Sequence, residues 1–246
     1  MITSISIGSF IIKLYDLFFG MGFVGVFIYL INICKHYDIP KWKTVVFTIL
    51  VYTSTLVWMF FLYWAESGFQ HWGGNNIVRV FWWLGIFVYP VSRLLKLDYW
   101  ECLDFVAPCL CINHGIAHIG CVFAGCCHGY PCNWGVYNNL LGVRCFPNQP
   151  IEAAVAIGLA VYIWHREKEK GYGKGIDGLS FPIMLMMFGY SRFLLEFLRD
   201  NEKIFLGISS LAIHALVNAM IGTVAYVMIK RRNEKRNMAT VQQINK

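Results

Sequence analysis

Seven side chains capable of chemistry crowd into one short stretch: His114, His118, Cys121, Cys126, Cys127, His128 and Cys132. His114 and His118 stand one helical turn apart, so an α-helix through them places both imidazoles on one face. Thiols and imidazoles together are nucleophiles, or soft ligands for zinc, copper or iron. The spacing is not a paired C-x-x-C, however, and names no metal, so no metal site and no cofactor is expected. For Cys121, Cys126 and Cys127, packing as small hydrophobes or pairing in a disulfide stands beside catalysis and metal binding as an equal alternative. A second constellation, GYSRFLLEFLRD, puts Arg192, Glu196 and Arg199 on one helical face. It is either an ion pair locking helices together or an oxyanion clamp, since a planar guanidinium pairs bidentately with phosphate. Glu152 falls near a helix N-terminus, where the dipole stabilises a carboxylate. Tyr15 and Asp16 sit early in the first apolar run; a lone carboxylate at that depth needs a partner or water.

The elements that must position these groups are membrane helices. The 246 residues are 57% hydrophobic and only 14% charged, with a mean hydropathy of +0.52. A soluble domain carries about a quarter charged residues, so the composition points to a bilayer as solvent. The net charge of +7 lies mostly in short loops and the tail, which reports topology and excludes nucleic acid as a partner. Runs of about 20 apolar residues predict seven spans: Leu14 to Ile33, Val45 to Trp64, Val78 to Leu95, Phe105 to Phe123, Ile151 to Trp164, Leu179 to Leu198 and Leu211 to Ile229. Polar residues interrupt the fourth and the fifth is short, so either is a candidate re-entrant segment. Lys35, Lys41 and Lys43, then Arg93 and Lys96, then Arg166, Lys168, Lys170 and Lys174, then the tail from Lys230 to Arg236 mark alternate connections as cytoplasmic. This sets the N-terminus outside, the C-terminus inside and the cysteine-rich segment toward the outer face. The first residues, MITSISIGSF, lack a basic n-region and a cleavage site, so the first span is expected to act as the insertion signal. The expected organisation is an all-α polytopic membrane protein with one transmembrane domain, residues 1–236, and a frayed polar tail, residues 237–246.

Four segments in sequence, DFVAP (Asp104 to Pro108), HIGCVFAGCCHG (His118 to Gly129), FPNQPIE (Phe146 to Glu152) and SRFLLEFLR (Ser191 to Arg199), resemble the signature of the prolipoprotein diacylglyceryl transferase family. That family's pattern runs DFIAP, GRLGNFINGE-x-x-G, HPxQLYE and FRFxxEFxR. Asp104, Gln149, Glu152, Arg192, Glu196, Arg199 and the glycines at 120, 125 and 129 match, and Tyr15 resembles the tyrosine of an early YG element. His118 replaces the arginine of GRLGN, Cys121 its asparagine, Cys126 the glutamate of NGE, and Phe146 the histidine of HPxQ; His71 with Gly73 and Gly74 is a weak counterpart of the HGG element. The resemblance implies a bacterial inner-membrane enzyme of lipoprotein biosynthesis that moves diacylglycerol from phosphatidylglycerol to a lipobox cysteine. It further implies Arg192 and Arg199 as headgroup ligands, oriented by Glu196 and Glu152. His118 is then the base toward an acceptor thiol, with Tyr15 beside it and Asp104, Gln149, Gly120, Gly125 and Gly129 shaping the substrate site. The expected partners are a phospholipid donor and a prolipoprotein or related thiol acceptor.

Two other readings remain open in the sequence. One is a divergent homologue doing thiol-redox or metal chemistry at the outer face through the Cys/His cluster from His114 to Cys132, with Cys121, Cys126, Cys127 and Cys132 as its thiols. The other is a transporter or receptor without chemistry, for which an intramembrane Arg and Glu pair also serves.

Overall fold

The computed structural model describes residues 4–7, 10–70, 77–172, 177–202, 204 and 207–244; His71, Gly73, Gly74 and Lys174 lie outside the described residues. Among these, seven α-helices carry the fold: α1 (Leu14–Ile33), α2 (Lys41–Glu66), α3 (Leu84–Leu95), α4 (Tyr99–Ala124), α5 (Asn148–Glu169), α6 (Ser180–Glu196) and α7 (Ser210–Ile244). Four of them, α1, α2, α4 and α7, are long and apolar enough to cross a membrane. The chain is a mostly helical, multi-pass membrane protein. Two antiparallel hairpins depart from an all-α expectation: β1 (Ser4–Ile7) with β2 (Phe10–Lys13), and β3 (Pro131–Asn138) with β4 (Val143–Cys145). Past Arg236, α7 continues to Ile244.

The packing is inside out relative to a soluble bundle. Leu17, Val24, Ile28, Val57, Leu194 and Met228 face outward, while Asp104, Glu152, Arg192, Glu196 and Arg199 are buried. That arrangement suits a hydrocarbon solvent, where charge must turn inward to find partners. α4 is the central rod: 67% of its most apolar window is buried, against 28% for α1 and 22% for α2. The polar residues that interrupt its hydropathy therefore do not break it. Asp98 caps its start by accepting from the Glu101 backbone N–H at 2.9 Å, and Gly125 ends it in the left-handed region at φ 69°. α5 likewise runs for 22 residues, longer than its apolar stretch.

Small residues let the helices touch, as expected where lipid supplies no hydrophobic drive between them. A Cβ at Gly22 of α1 would lie 2.2 Å from Asn113 Oδ1 of α4. One at Gly115 of α4 would lie 2.7 Å from Ile157 of α5, and one at Gly189 of α6 would lie 2.5 Å from the Ala219 backbone nitrogen of α7. These contacts bring the C-terminal half of α4, the start of α5 and the end of α6 to one end of the bundle.

Candidate functional site

Glu152, one turn into α5, is the hub. Its carboxylate is 1% exposed. Oε1 lies 2.9 Å from His114 Nε2, 3.4 Å from His118 Nε2 and 2.9 Å from Arg192 Nε, while Oε2 accepts a hydrogen bond from Arg199. Arg192 and Arg199, themselves 1% exposed, are shared with Glu196, which pairs with Arg192 one helical turn away and stands 3.8 Å from Arg199 Nε. Asn201 and Ser209 complete Glu196, Ser209 Oγ donating at 2.7 Å. Two carboxylates and two guanidiniums balance in charge, which makes their joint burial tolerable.

The balance leaves hydrogen-bonding capacity over. Nε of Arg192 is close to Glu152 but not aligned for a hydrogen bond, and the Nε of Arg199 and the Nδ1 of His118 are buried without any hydrogen-bond partner. His118 is 8% exposed. Its Nε2 lies toward the Glu152 carboxylate, and a ring protonated at Nε2 would present a free lone pair at Nδ1. A general base needs that arrangement.

Next to this cluster stands a second one, made of sulfur. The Sγ atoms of Cys121, Cys126 and Cys127 lie within 4.8 Å of one another. Hydrogen bonds from the Cys121 and Cys126 thiols hold the Cys127 thiol well below its ordinary range, and Arg199 and His118 act in the same direction. Gln149 reaches back from α5 to donate to the Cys126 carbonyl at 2.8 Å, and Asn138 of β3 donates to the Gly125 carbonyl at 2.8 Å. Tyr15 of α1 lies within electrostatic reach of all three cysteines and packs on Gly120, where a Cβ would stand 3.3 Å from the Tyr15 Cα. Gly129 is hemmed in by Phe146 and the Leu198 carbonyl and bridges to Arg199. A side chain at 129 would push the cysteine loop away from the arginine.

The structure thus gathers His118, Arg192, Glu152, Tyr15, Arg199, Glu196, Gln149, Gly120, Gly125 and Gly129 at one end of the bundle. It does not bring Asp104 there. Asp104 lies ten residues before His114 on α4, about 15 Å along the axis, and accepts from the Gly178 and Ser180 backbone N–H groups at 3.0 Å each. Cys132 also stands apart from the other thiols, on β3, where its Sγ donates to the Trp134 carbonyl. Sequence reasoning singled out His114 without a partner; its bond to Glu152 crosses from α4 to α5 and has no local signal. Asn201 and Ser209 carry no sequence signal either. An apolar cavity of about 380 Å³ lies between α1, α2 and α4, lined by Phe23, Phe27, Phe47, Tyr52, Leu110 and Asn113.

A family model described as prolipoprotein diacylglyceryl transferase matches residues 3–229. Two curated relatives are similar to the chain. A phosphatidylglycerol–prolipoprotein diacylglyceryl transferase 2 of Clostridium perfringens is 26% identical over 144 residues, covering 55% of this chain and 54% of the relative. A phosphatidylglycerol–prolipoprotein diacylglyceryl transferase of Clostridium tetani is 26% identical over 126 residues, covering 48% of this chain and 49% of the relative. The chain spans about half the length of the curated relatives it matches.

Proposed function

We propose that this chain, which belongs to the prolipoprotein diacylglyceryl transferase family, moves a diacylglyceryl group from phosphatidylglycerol to an acceptor thiol. The observation that carries the reading is the buried His118 Nδ1, unpartnered beside two arginines that share two carboxylates. The acceptor S–H gives its proton to Nδ1. The thiolate sulfur then attacks the glycerol carbon that bears the phosphate, a carbon–sulfur bond forms, and the carbon–oxygen bond breaks with its electron pair leaving on glycerol phosphate. Negative charge grows on that leaving group as positive charge appears on the imidazole, so the site stays balanced through the step. Arg192 and Arg199 face the phosphate with the N–H groups that Glu152 and Glu196 leave unused. The apolar cavity between α1, α2 and α4 suits the acyl chains of the donor.

In this reading the protein has one transmembrane domain, residues 1–236, crossing the bacterial inner membrane seven times. Its N-terminus and catalytic end face outward, and its C-terminus is cytoplasmic. Support for the topology comes from the basic residues at the end of the bundle opposite Glu152. The acceptor is the lipobox cysteine of a prolipoprotein.

The test uses purified protein in phosphatidylglycerol micelles with a synthetic lipobox peptide, and mass spectrometry to detect a diacylglyceryl addition. The parent protein is expected to form the product, and Arg192→Ala is expected to form none while remaining in the membrane. Full activity in Arg192→Ala would overturn the assignment.

A further inference from the structure

The three thiols beside His118 exceed what transfer needs, because the reaction brings its own thiol. Their placement costs energy. Cys127 adopts a left-handed backbone with φ 57°, a conformation that L side chains seldom take and that persists only when the surroundings impose it. The surroundings do impose it: Gly125 turns the chain first at φ 69°, Asn138 holds the Gly125 carbonyl, and Gln149 holds the Cys126 carbonyl. The result folds Cys127 back onto Cys121, one turn up α4, with Cys126 closing the triangle. Sulfurs bonded at about 2.3 Å to a tetrahedral ion stand about 3.8 Å apart. The observed Sγ atoms, within 4.8 Å of one another, need to contract by about 1 Å at most.

We propose that Cys121, Cys126 and Cys127 form a three-thiolate site for a thiophilic divalent metal ion of the zinc class, with a fourth position open toward His118. Three protein ligands and an open fourth position are the usual design of a reactive zinc centre. Arg199, hydrogen-bonded to Cys127, offsets part of the excess negative charge of three thiolates on a divalent ion. His118 groups with His114 and Glu152 and not with the three thiols, so it is not counted as a ligand of this site. On the proposed function, on which this step alone rests, an ion held by Cys121, Cys126 and Cys127 would take the acceptor sulfur as its fourth ligand, and His118 Nδ1 would take the proton. The bound thiolate keeps the nucleophilicity required for alkyl transfer.

The experiment reads the metal alone. Full-length protein in detergent, chelated and kept reduced with a phosphine, is titrated with Cd²⁺ while the thiolate-to-metal charge-transfer absorption is recorded. One ion per chain is expected. Cys126→Ser and Cys127→Ser are each expected to weaken binding by more than the roughly 10- to 100-fold that loss of an outer-shell partner costs, with helical circular dichroism unchanged. Cys102→Ser, buried elsewhere on α4, is expected to bind as the parent does. An absent band in folded protein with free thiols, a disulfide among the three cysteines, or an unchanged band in both loop variants would each overturn the site. Because neither lipid nor peptide is present, failure here leaves the transferase reading standing. Failure of transfer with intact Cd²⁺ binding would remove that reading and leave the metal site.

Discussion

Two groups of buried charge lie at opposite ends of the bundle, and they solve the same electrostatic problem differently. At the basic end, Asp104 accepts from two backbone N–H groups. Glu167 accepts from Arg166 at 2.8 Å, from Ser180 and from Tyr37 at 3.4 Å, and Asp177 pairs with Arg166 and Lys170. Among the described residues, none of these groups has a buried polar side-chain atom left without a partner. At the other end, the Glu152 cluster is as deeply buried and as well balanced in charge, yet His118 Nδ1 and Arg199 Nε are left over. An unmade hydrogen bond in a buried site costs about 1–3 kcal/mol. The Asp104, Glu167 and Asp177 group thus spends its hydrogen-bonding capacity inside the fold, whereas the Glu152 cluster keeps some in reserve, as the proposed transfer site requires. The saturated cluster staples α4, α5 and α6 together; the other is the site proposed for transfer.

Four substitutions break or sharpen that contrast. Glu152→Ala leaves Arg192 and Arg199 buried without their shared carboxylate, and is expected to cost about 3–5 kcal/mol of stability and all transfer, read by thermal unfolding in detergent and by the peptide assay. His118→Ala separates chemistry from stability. Its turnover per folded molecule is expected to fall about 100- to 10,000-fold, the usual worth of a general base, while its stability loss, from the Nε2 contact with Glu152 and the packing on His114, is expected to stay below that of Glu152→Ala. At the saturated end the pattern inverts: Glu167→Ala is expected to destabilise by about 1–3 kcal/mol with transfer per folded molecule unchanged. Equal loss of activity at the two ends would remove the distinction. The smallest effect belongs to Tyr37→Phe, which deletes one long hydrogen bond to Glu167 and is expected to cost at most about 1 kcal/mol, visible only as a slight shift in the unfolding midpoint.

How far each of these residues could be read from the chain depended on whether its partner was local. Arg192, Glu196 and Arg199 share a helical face because they are three and four residues apart, and their likeness to a family signature placed them in a site. The helices were legible for the same reason: hydropathy is a local property, and the seven α-helices fall within or around the seven apolar runs. The re-entrant breaks suggested for the fourth and fifth runs are absent because the polar residues of α4 face the bundle interior, which a window average cannot detect. Asp104 belonged to the same signature, but the fold turns it to the opposite end, where it caps the start of α6.

By itself, the sequence determined the solvent of this protein, the positions of its helices and the side chains with chemical potential, since composition, periodicity and spacing act over a few residues. Only the tertiary structure decided which of those side chains meet. Glu152 reaches His114 across 38 residues and Arg199 across 47, the first where Gly115 lets α4 close on α5. The separation of Cys132 from the other three thiols was settled in the same way, by a left-handed turn at Cys127 and a hairpin that carries Cys132 away. Such encounters depend on how whole helices pack, and no short window of residues encodes them.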